Sequence, residues 1–395
     1  MSVATLRFQA VDSWFFRNAR PYDVLGGMDL EGRFPPPART LAGAVRTLLG
    51  DAWGVDWEAF ARHPDTYRIA GQRLRDRIGW GPDPGPLRFS GPWLIREGQR
   101  LYPAPRFLFW SGGLPEAAGD APAGGRWWRA RIGPPVRSDR GLVRLPVLPP
   151  DAAGAAPVEG VWLTAAGMAR VLAGGLPQRG EWYPESQLWA YERHFGIARF
   201  RDRRTVQPGL LYHATHVRPD SRVALELEVR GGPERWPLPA WVRLGGDGRA
   251  AMVEAVDRAA WPRLPACRQG GLVLMLATPG TWDGDLGVLP GFVPAERAGV
   301  RSWVGSLLGI RLRLHAAVMD PPVREGGWDL ARGRPVARRA YVPAGSSWYV
   351  TVEGGSGLEE AVSRLHGGMI GEETEYGRGH LLAGCWPLEE GCPQG

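Results

Sequence analysis

The 395-residue chain carries 48 basic and 41 acidic residues, giving a net charge of +7 and a pI near 9.7, with 44% hydrophobic and 23% charged residues. These are the proportions of a soluble globular protein long enough for two domains, and the absence of any run of 18 apolar residues argues against a membrane span. The N-terminus lacks the basic start and apolar core of a signal peptide, and three cysteines without a CxxC pair argue against a structural zinc site and fit a cytoplasmic, reducing location.

All 48 basic residues are arginine. A Walker-type phosphate loop needs a lysine to reach the terminal phosphates, so that class is excluded. Guanidinium forks bind phosphates bidentately and stack on bases. A GC-rich coding bias also enriches arginine, so only clusters of arginine count as evidence.

In chain order, LRFQAV (6–11) alternates as a strand with Leu6, Phe8 and Ala10 on one face. The following DSWFFRNARPYDVLGG (12–27) reads as a loop, either plain surface or contacting RNA through Arg17, Asn18 and Arg20. Three prolines, Pro35 to Pro37, give an extended approach to a helix in TLAGAVRTLLG. There Leu41, Ala44, Val45, Leu48 and Leu49 share a face, with Thr40 as the expected N-cap and Gly50 as the expected stop. PLRFSGPWLI and LYPAPRFLFW read as strands broken by turns. Residues 111–160 are rich in Gly, Pro, Ala and Arg and read as long loops or an insertion, with an arginine cluster at RWWRARI (126–132).

The most unusual segment is YERHFGIARFRDRRTVQPGLLYHATHVRP (191–219). Arg193, Arg199, Arg201, Arg203 and Arg204 are interleaved with Tyr191, Phe195 and Phe200, which predicts a stacking and charged surface for a nucleic-acid single strand. RVALELEVR (222–230) is a strand with Val223, Leu225, Leu227 and Val229 on one face. VRLGGDGRA (242–250) follows. Gly245, Gly246 and Gly248 supply a tight turn, and Arg249 ends it. It is not a GxGxxG fingerprint, and Asp247 stands alone, so it cannot clamp two metals as a nucleotide-polymerising palm does. The turn either serves the fold alone or brings backbone N–H groups to RNA. ARGRPVARRAY (331–341) adds a cluster with Arg338 and Arg339. GLEEAVSRLHGG predicts a second helix with Leu358, Ala361, Val362 and Leu365 on one face, and EYGRGHLLAG (375–384) sets Arg378 in a glycine turn before a strand.

His213 and His216 are three apart, on opposite faces of a strand, so a shared zinc is not expected. His194 is the best candidate for a general base in RNA cleavage, against a polar or stacking role. Strands with few helices indicate an α+β fold. No metal site and no cofactor is expected.

In combination the segments resemble a known family. WFFRNARPYD followed by FPPPARTLAGAVRTLLG, then LRFSGPWLI with LYPAPRFLF, FGIARFRDRRTVQPGLLY, LGGDGRA, GWDLARGRPVARRAYVPAGSSWYV and YGRGHLLAG occur in the order found in the third-subunit family of the Cmr complex. That complex is the type III-B CRISPR RNA-guided effector, and the family belongs to the repeat-associated (RAMP) superfamily. The resemblance spans nearly the whole chain and is weakest over 111–160. It implies two ferredoxin-like (RRM-like) domains in tandem, at 1–218 and 219–395, the first bearing the 111–160 insertion and a thumb-type hairpin near 191–212. It further implies a non-catalytic subunit that holds the 5′ tag of the crRNA and sits at the base of the complex. Its partners would be the large polymerase-like subunit and the backbone subunits, with the target RNA met indirectly, in antiviral defence. Thumb candidates are Arg199, Arg201, Arg203 and Arg204; Gly245, Gly246 and Gly248 are expected to let their loop approach RNA or a neighbouring subunit, and Arg17, Asn18, Arg20, Arg193, Arg249, Arg338, Arg339 and Arg378 are the further expected RNA-binding residues. The alternative within the superfamily is a metal-independent crRNA-processing endoribonuclease using His194 or His213.

Overall fold

A computed structural model describes residues 3–19, 29–112, 125–139, 141–200, 202–203, 205–267, 269–329 and 332–386. The protein is mostly β, 46% strand and 13% helix, in several sheets. Among the described residues no helix is long and apolar enough to cross a membrane. The chain divides into two interleaved compact units. The first comprises 1–97, 188–258 and 324–340; the second comprises 98–187, 259–323 and 341–395. The sequence reading draws a single boundary at 218/219. The units interleave because each builds its sheet from strands far apart in sequence.

The first unit contains β1 (Val3–Ala10), α1 (Ala38–Ala52), β2 (Arg88–Arg96), β3 (Trp189–Arg199), β4 (Val206–Pro219), β5 (Val223–Arg230), β6 (Ala240–Arg243), β7 (Ala250–Val256) and, but for the end residues Val323 and Tyr341, β8 (Val323–Asp329) and β9 (Arg334–Tyr341). Strands β2, β5, β1, β7 and β6 lie side by side in that order, every neighbour antiparallel. Because β1 and β2 both run antiparallel to β5, they are parallel to each other. The chain joins them through α1, which makes a split βαβ unit. Alternation places Leu6, Phe8, Leu225, Leu227 and Val253 in the core, all 0% exposed.

The opposite face of β5 is covered too. Glu226 and Glu228 are buried and paired with Arg7 (3.1 Å) and Arg258 (2.9 Å). Helix α1 begins two residues before Thr40, with Pro37 at its cap position and no side-chain cap bond. It also runs past Gly50. A Cβ at Gly50 would stand 2.4 Å from the Trp57 ring, so this glycine serves packing, and the turn of positive φ comes at Gly54 (+72°).

In the second unit, strands Leu381–Trp386, Gly271–Leu276, Ser347–Glu353 and Ile310–Val318 pair antiparallel in that order. Helix Leu358–Leu365 joins Ser347–Glu353 to Leu381–Trp386, two strands parallel to each other on either side of Gly271–Leu276. Ala361, Val362 and Leu365 pack as the periodicity predicts, with Leu272, Leu274, Trp348 and Val350.

The 111–160 region departs from the loop expectation. Arg126–Arg129, Arg131–Ser138 and Gly141–Val147 are strands, the latter two forming a hairpin. Burial of Trp127 and Trp128 supplies the apolar anchor that the Gly- and Pro-rich composition conceals. Cys267 and Cys385 form a disulfide across 118 residues, a pairing their spacing did not suggest and one that goes against the reducing location read from the cysteine pattern.

Candidate nucleic-acid interface

Strands β3 and β4 form a long antiparallel ribbon in the first unit, with Glu192 opposite His216 and Phe195 opposite His213. Its root is pinned to the segment after β1. Trp14 and Val217 exchange backbone hydrogen bonds at 2.7 and 2.8 Å. Trp14, Phe15 and Phe16 are buried, so the start of the expected 12–27 loop is an aromatic wedge. Trp14 and Phe16 pack against Phe34, which meets the root residue Trp189 edge-on at 4.8 Å.

The two faces of the ribbon differ. One presents Tyr191, Arg193, Phe195, Ile197 and Arg199 in alternation along β3. Tyr191 is 50% and Phe195 70% exposed, and Ile197 and Leu211 are exposed beside them. Apolar rings in that position are unfavourable in water. Interleaved with guanidinium groups, they suit stacked bases with phosphates between.

The other face carries a closed network of charge. Arg218 donates to both Glu192 oxygens, one at 3.1 Å, and to Asp12 Oδ1 at 2.6 Å. Arg249 donates to the second Asp12 oxygen at 2.9 Å and to His194 Nδ1 at 3.4 Å. A guanidinium only donates, so Nδ1 accepts and the proton sits on Nε2, which faces Glu192 at 3.4 Å. The Arg218 guanidinium holds the Asp12 and Glu192 carboxyls below their usual range.

Behind this network, the ring of His216 lies between His194 (3.9 Å, 18°) and Phe15 (5.1 Å, 13°). Its Nδ1 meets Ser13 Oγ at 3.4 Å and its Nε2 lies 3.4 Å from Asp247. Burial, then the nearby His194 and Arg249, push the His216 pKa down, so the ring is neutral at pH 7.

The glycine turn belongs to the same construction. Gly245 has φ +89°, and a Cβ there would stand 2.5 Å from the Phe15 carbonyl oxygen. Gly246 N–H donates to that oxygen at 2.8 Å. The close approach these two glycines allow is made to the chain's own backbone. It sets Asp247 beside His216 and aims Arg249 at Asp12. Gly248, with φ +67°, has open space where a Cβ would be.

The remaining candidates scatter. Asn18 donates to Glu31 at 2.8 Å, and Arg17 bridges Gly32 beside it. Arg203 is exposed next to Asp202. Arg338 is exposed and Arg339 half-buried on β9. Arg378 is buried in the second unit over the Tyr341 ring at 4.4 Å. Arg20, Arg201 and Arg204 lie outside the described residues. His213 and His216 face opposite sides of β4, as their spacing predicts; His213 meets Phe195 edge-on at 5.7 Å. Asp12, Glu192 and Arg218 were not among the expected site residues. Once the ribbon register is known, Glu192, His194, His216 and Arg218 fall on one face by strand alternation. Asp12 lies 206 residues from its partner Arg218 and leaves no local signal.

A family model described as CRISPR-associated protein (Cas_Cmr3) matches residues 6–386. Among solved structures, the chain is similar to one in the Type III-B Cmr-beta bound to cognate target RNA and AMPPnP, with 12% identity over 87% of this chain and 86% of that one and a TM-score of 0.42. It is also similar to a chain of the Type III-B Cmr-beta bound to cognate target RNA (12% identity, 87% and 86% covered, TM-score 0.43). A chain of the Csm3-Csm4 subcomplex of the type III-A CRISPR-Cas interference complex is similar at 10% identity, with 89% and 94% covered and a TM-score of 0.34. No curated protein matches.

Proposed function

The chain belongs to the CRISPR-associated Cmr3 family and is a component of a type III-B CRISPR effector; from that premise we propose that it is a non-catalytic subunit that holds the 5′ tag of the crRNA. It docks the large polymerase-like subunit at the base of the complex, adjoins the backbone subunits, and works in the cytoplasm in antiviral defence. The observation that carries the reading is the outward face of the β3–β4 ribbon, where Tyr191, Phe195 and Ile197 alternate with Arg193 and Arg199. Single-stranded RNA is held by stacking of splayed bases and by charge on its phosphates.

The sheet topology supports two ferredoxin-like domains in tandem. Each unit has four antiparallel strands in the order expected of that fold, and each keeps one of its two crossover helices: α1 in the first, Leu358–Leu365 in the second.

The endoribonuclease alternative would use His194 or His213 as acid and base. Both His194 nitrogens already face protein groups, Arg249 and Glu192. That supports a structural role for the ring, since a general base needs a nitrogen within reach of the proton it takes. The test is a combined binding and cleavage assay with tagged crRNA, with and without the large subunit. Tag-dependent binding without cleavage, strengthened by the partner, is expected. Cleavage by the protein alone, lost in His194→Ala, would overturn the proposal.

A further inference from the structure

Away from the ribbon, the first unit holds a short hairpin, Arg68–Ile69 paired with Gln72–Arg73, followed by the helical turn Arg75–Ile78. An open surface groove of about 430 Å³ lies here, lined by Arg68, Gly71, Gln72, Arg73, Asp76 and Arg77, all exposed except the half-buried Arg77. Its volume is in the range of small-molecule sites. The base is rigid, because Leu74 and Ile78 are fully buried and Leu74 N–H donates to the Tyr67 carbonyl at 3.0 Å.

The charge of this groove is not balanced from within. Arg68 and Arg73 sit directly opposite each other across the hairpin, an arrangement in which like charges repel. Asp76 is the one carboxylate among the lining residues, and it pairs with Arg73 at 2.8 Å. Arg68 bonds only a carbonyl there, that of Gly71 at 2.8 Å. The Arg77 guanidinium lies 3.6 Å over the Trp53 ring, which satisfies its face and leaves its edge N–H groups as donors. Three guanidinium groups against one carboxylate leave two positive charges around a polar groove.

We propose that this groove binds a phosphomonoester dianion. A dianion neutralises the two excess charges, whereas an internal phosphodiester supplies one negative charge. Planar forks suit its oxygens, and Gln72 adds an amide donor. The monoester is carried either by a free nucleotide or by the terminal phosphate of an RNA. Its second ionisation lies near pH 6, so binding strengthens as pH rises through that value.

The test is isothermal titration of the full chain with inorganic phosphate, AMP, adenosine, a 5′-phosphorylated RNA hexamer and the same hexamer with hydroxyl ends. Phosphate and AMP are expected to bind and adenosine not to. The paired exchange Arg68→Gln with Arg73→Gln should weaken the monoesters about tenfold or more, and Asp76→Asn should tighten them. Arg193→Glu, on the ribbon, should leave phosphate and AMP binding unchanged and lower the affinity of both hexamers alike. A hexamer preference that needs its 5′ phosphate identifies an RNA end as the source, and a preference for AMP identifies a nucleotide. Failure of both monoesters to saturate at millimolar concentration would sink the proposal, as would affinities unmoved by both the double variant and Asp76→Asn.

Discussion

Arg193 and Arg129 sit in similar local sequence, YERHF and RWWRA, each beside aromatic residues, yet they end in opposite environments. Arg193 stands exposed on the ribbon between the exposed rings of Tyr191 and Phe195. Arg129 is partly buried in the second unit, where it donates to the Val171 carbonyl at 2.6 Å and the Cys385 carbonyl at 3.1 Å, over the Phe107 ring at 4.5 Å. Burial alone pushes its pKa down. Arginine beside an aromatic is therefore a stacking motif in both places. What decides between recognition and stability is whether other strands cover it.

The contrast predicts separable effects. The largest concerns the clamp on the second unit. Cys267→Ser opens a link across 118 residues and should lower stability by about 4 kcal/mol, read by denaturant unfolding, without changing the RNA affinity of the folded protein. Arg129→Met should cost about 2 kcal/mol, because two part-buried carbonyls lose a charged donor, again with RNA affinity intact. If either change weakened RNA binding in a folded protein, the separation between the two regions would be broken.

A third prediction uses pH. Burial pushes His315 in the second unit down to about 4 from 6.5, and its Nε2 meets Thr351 Oγ1 at 2.9 Å. The unfolded chain takes up that proton first as pH falls. Stability is therefore full above pH 6.5 and declines toward pH 4, by about 3 kcal/mol in total. His315→Gln should flatten that part of the pH–stability curve.

On the ribbon the effects should be on binding. Phe195→Ala should weaken single-stranded RNA by about 2 kcal/mol with little change in melting temperature, since the ring is 70% exposed. Smallest in free energy is charge reversal at Arg193 or Arg203, which should reduce the salt dependence of RNA binding by roughly one unit per lost phosphate contact. An unchanged slope would remove those residues from the interface.

The helices Ala38–Ala52 and Leu358–Leu365 and the strands at Val3–Ala10 and Val223–Arg230 follow from spacing, because alternation and the 3.6-residue period are local properties of a chain, whereas the hairpin near 191–212 is implied by the family resemblance. The opposed faces of His213 and His216 follow for the same reason. The loop expectation over 111–160 failed where Trp127 and Trp128 found a core that weak periodicity does not announce. Helix α1 overran Gly50 because the Trp57 ring, and not backbone conformation, requires a glycine there.

Residues distant in sequence explain the rest. Asp12 joins Arg218 and Arg249, Cys267 joins Cys385, and Gly245 closes on Phe15. Composition makes the chain arginine-rich throughout and marks no arginine as a ligand group. Pairing does that: Arg218 and Arg249 are spent on carboxylates, Arg129 donates to two carbonyls over the Phe107 ring, Arg378 is buried against the Tyr341 ring, and Arg193 faces solvent. Charge and hydrogen-bond partners are set by which strands lie side by side, and that is a property of the folded chain and not of any segment of it.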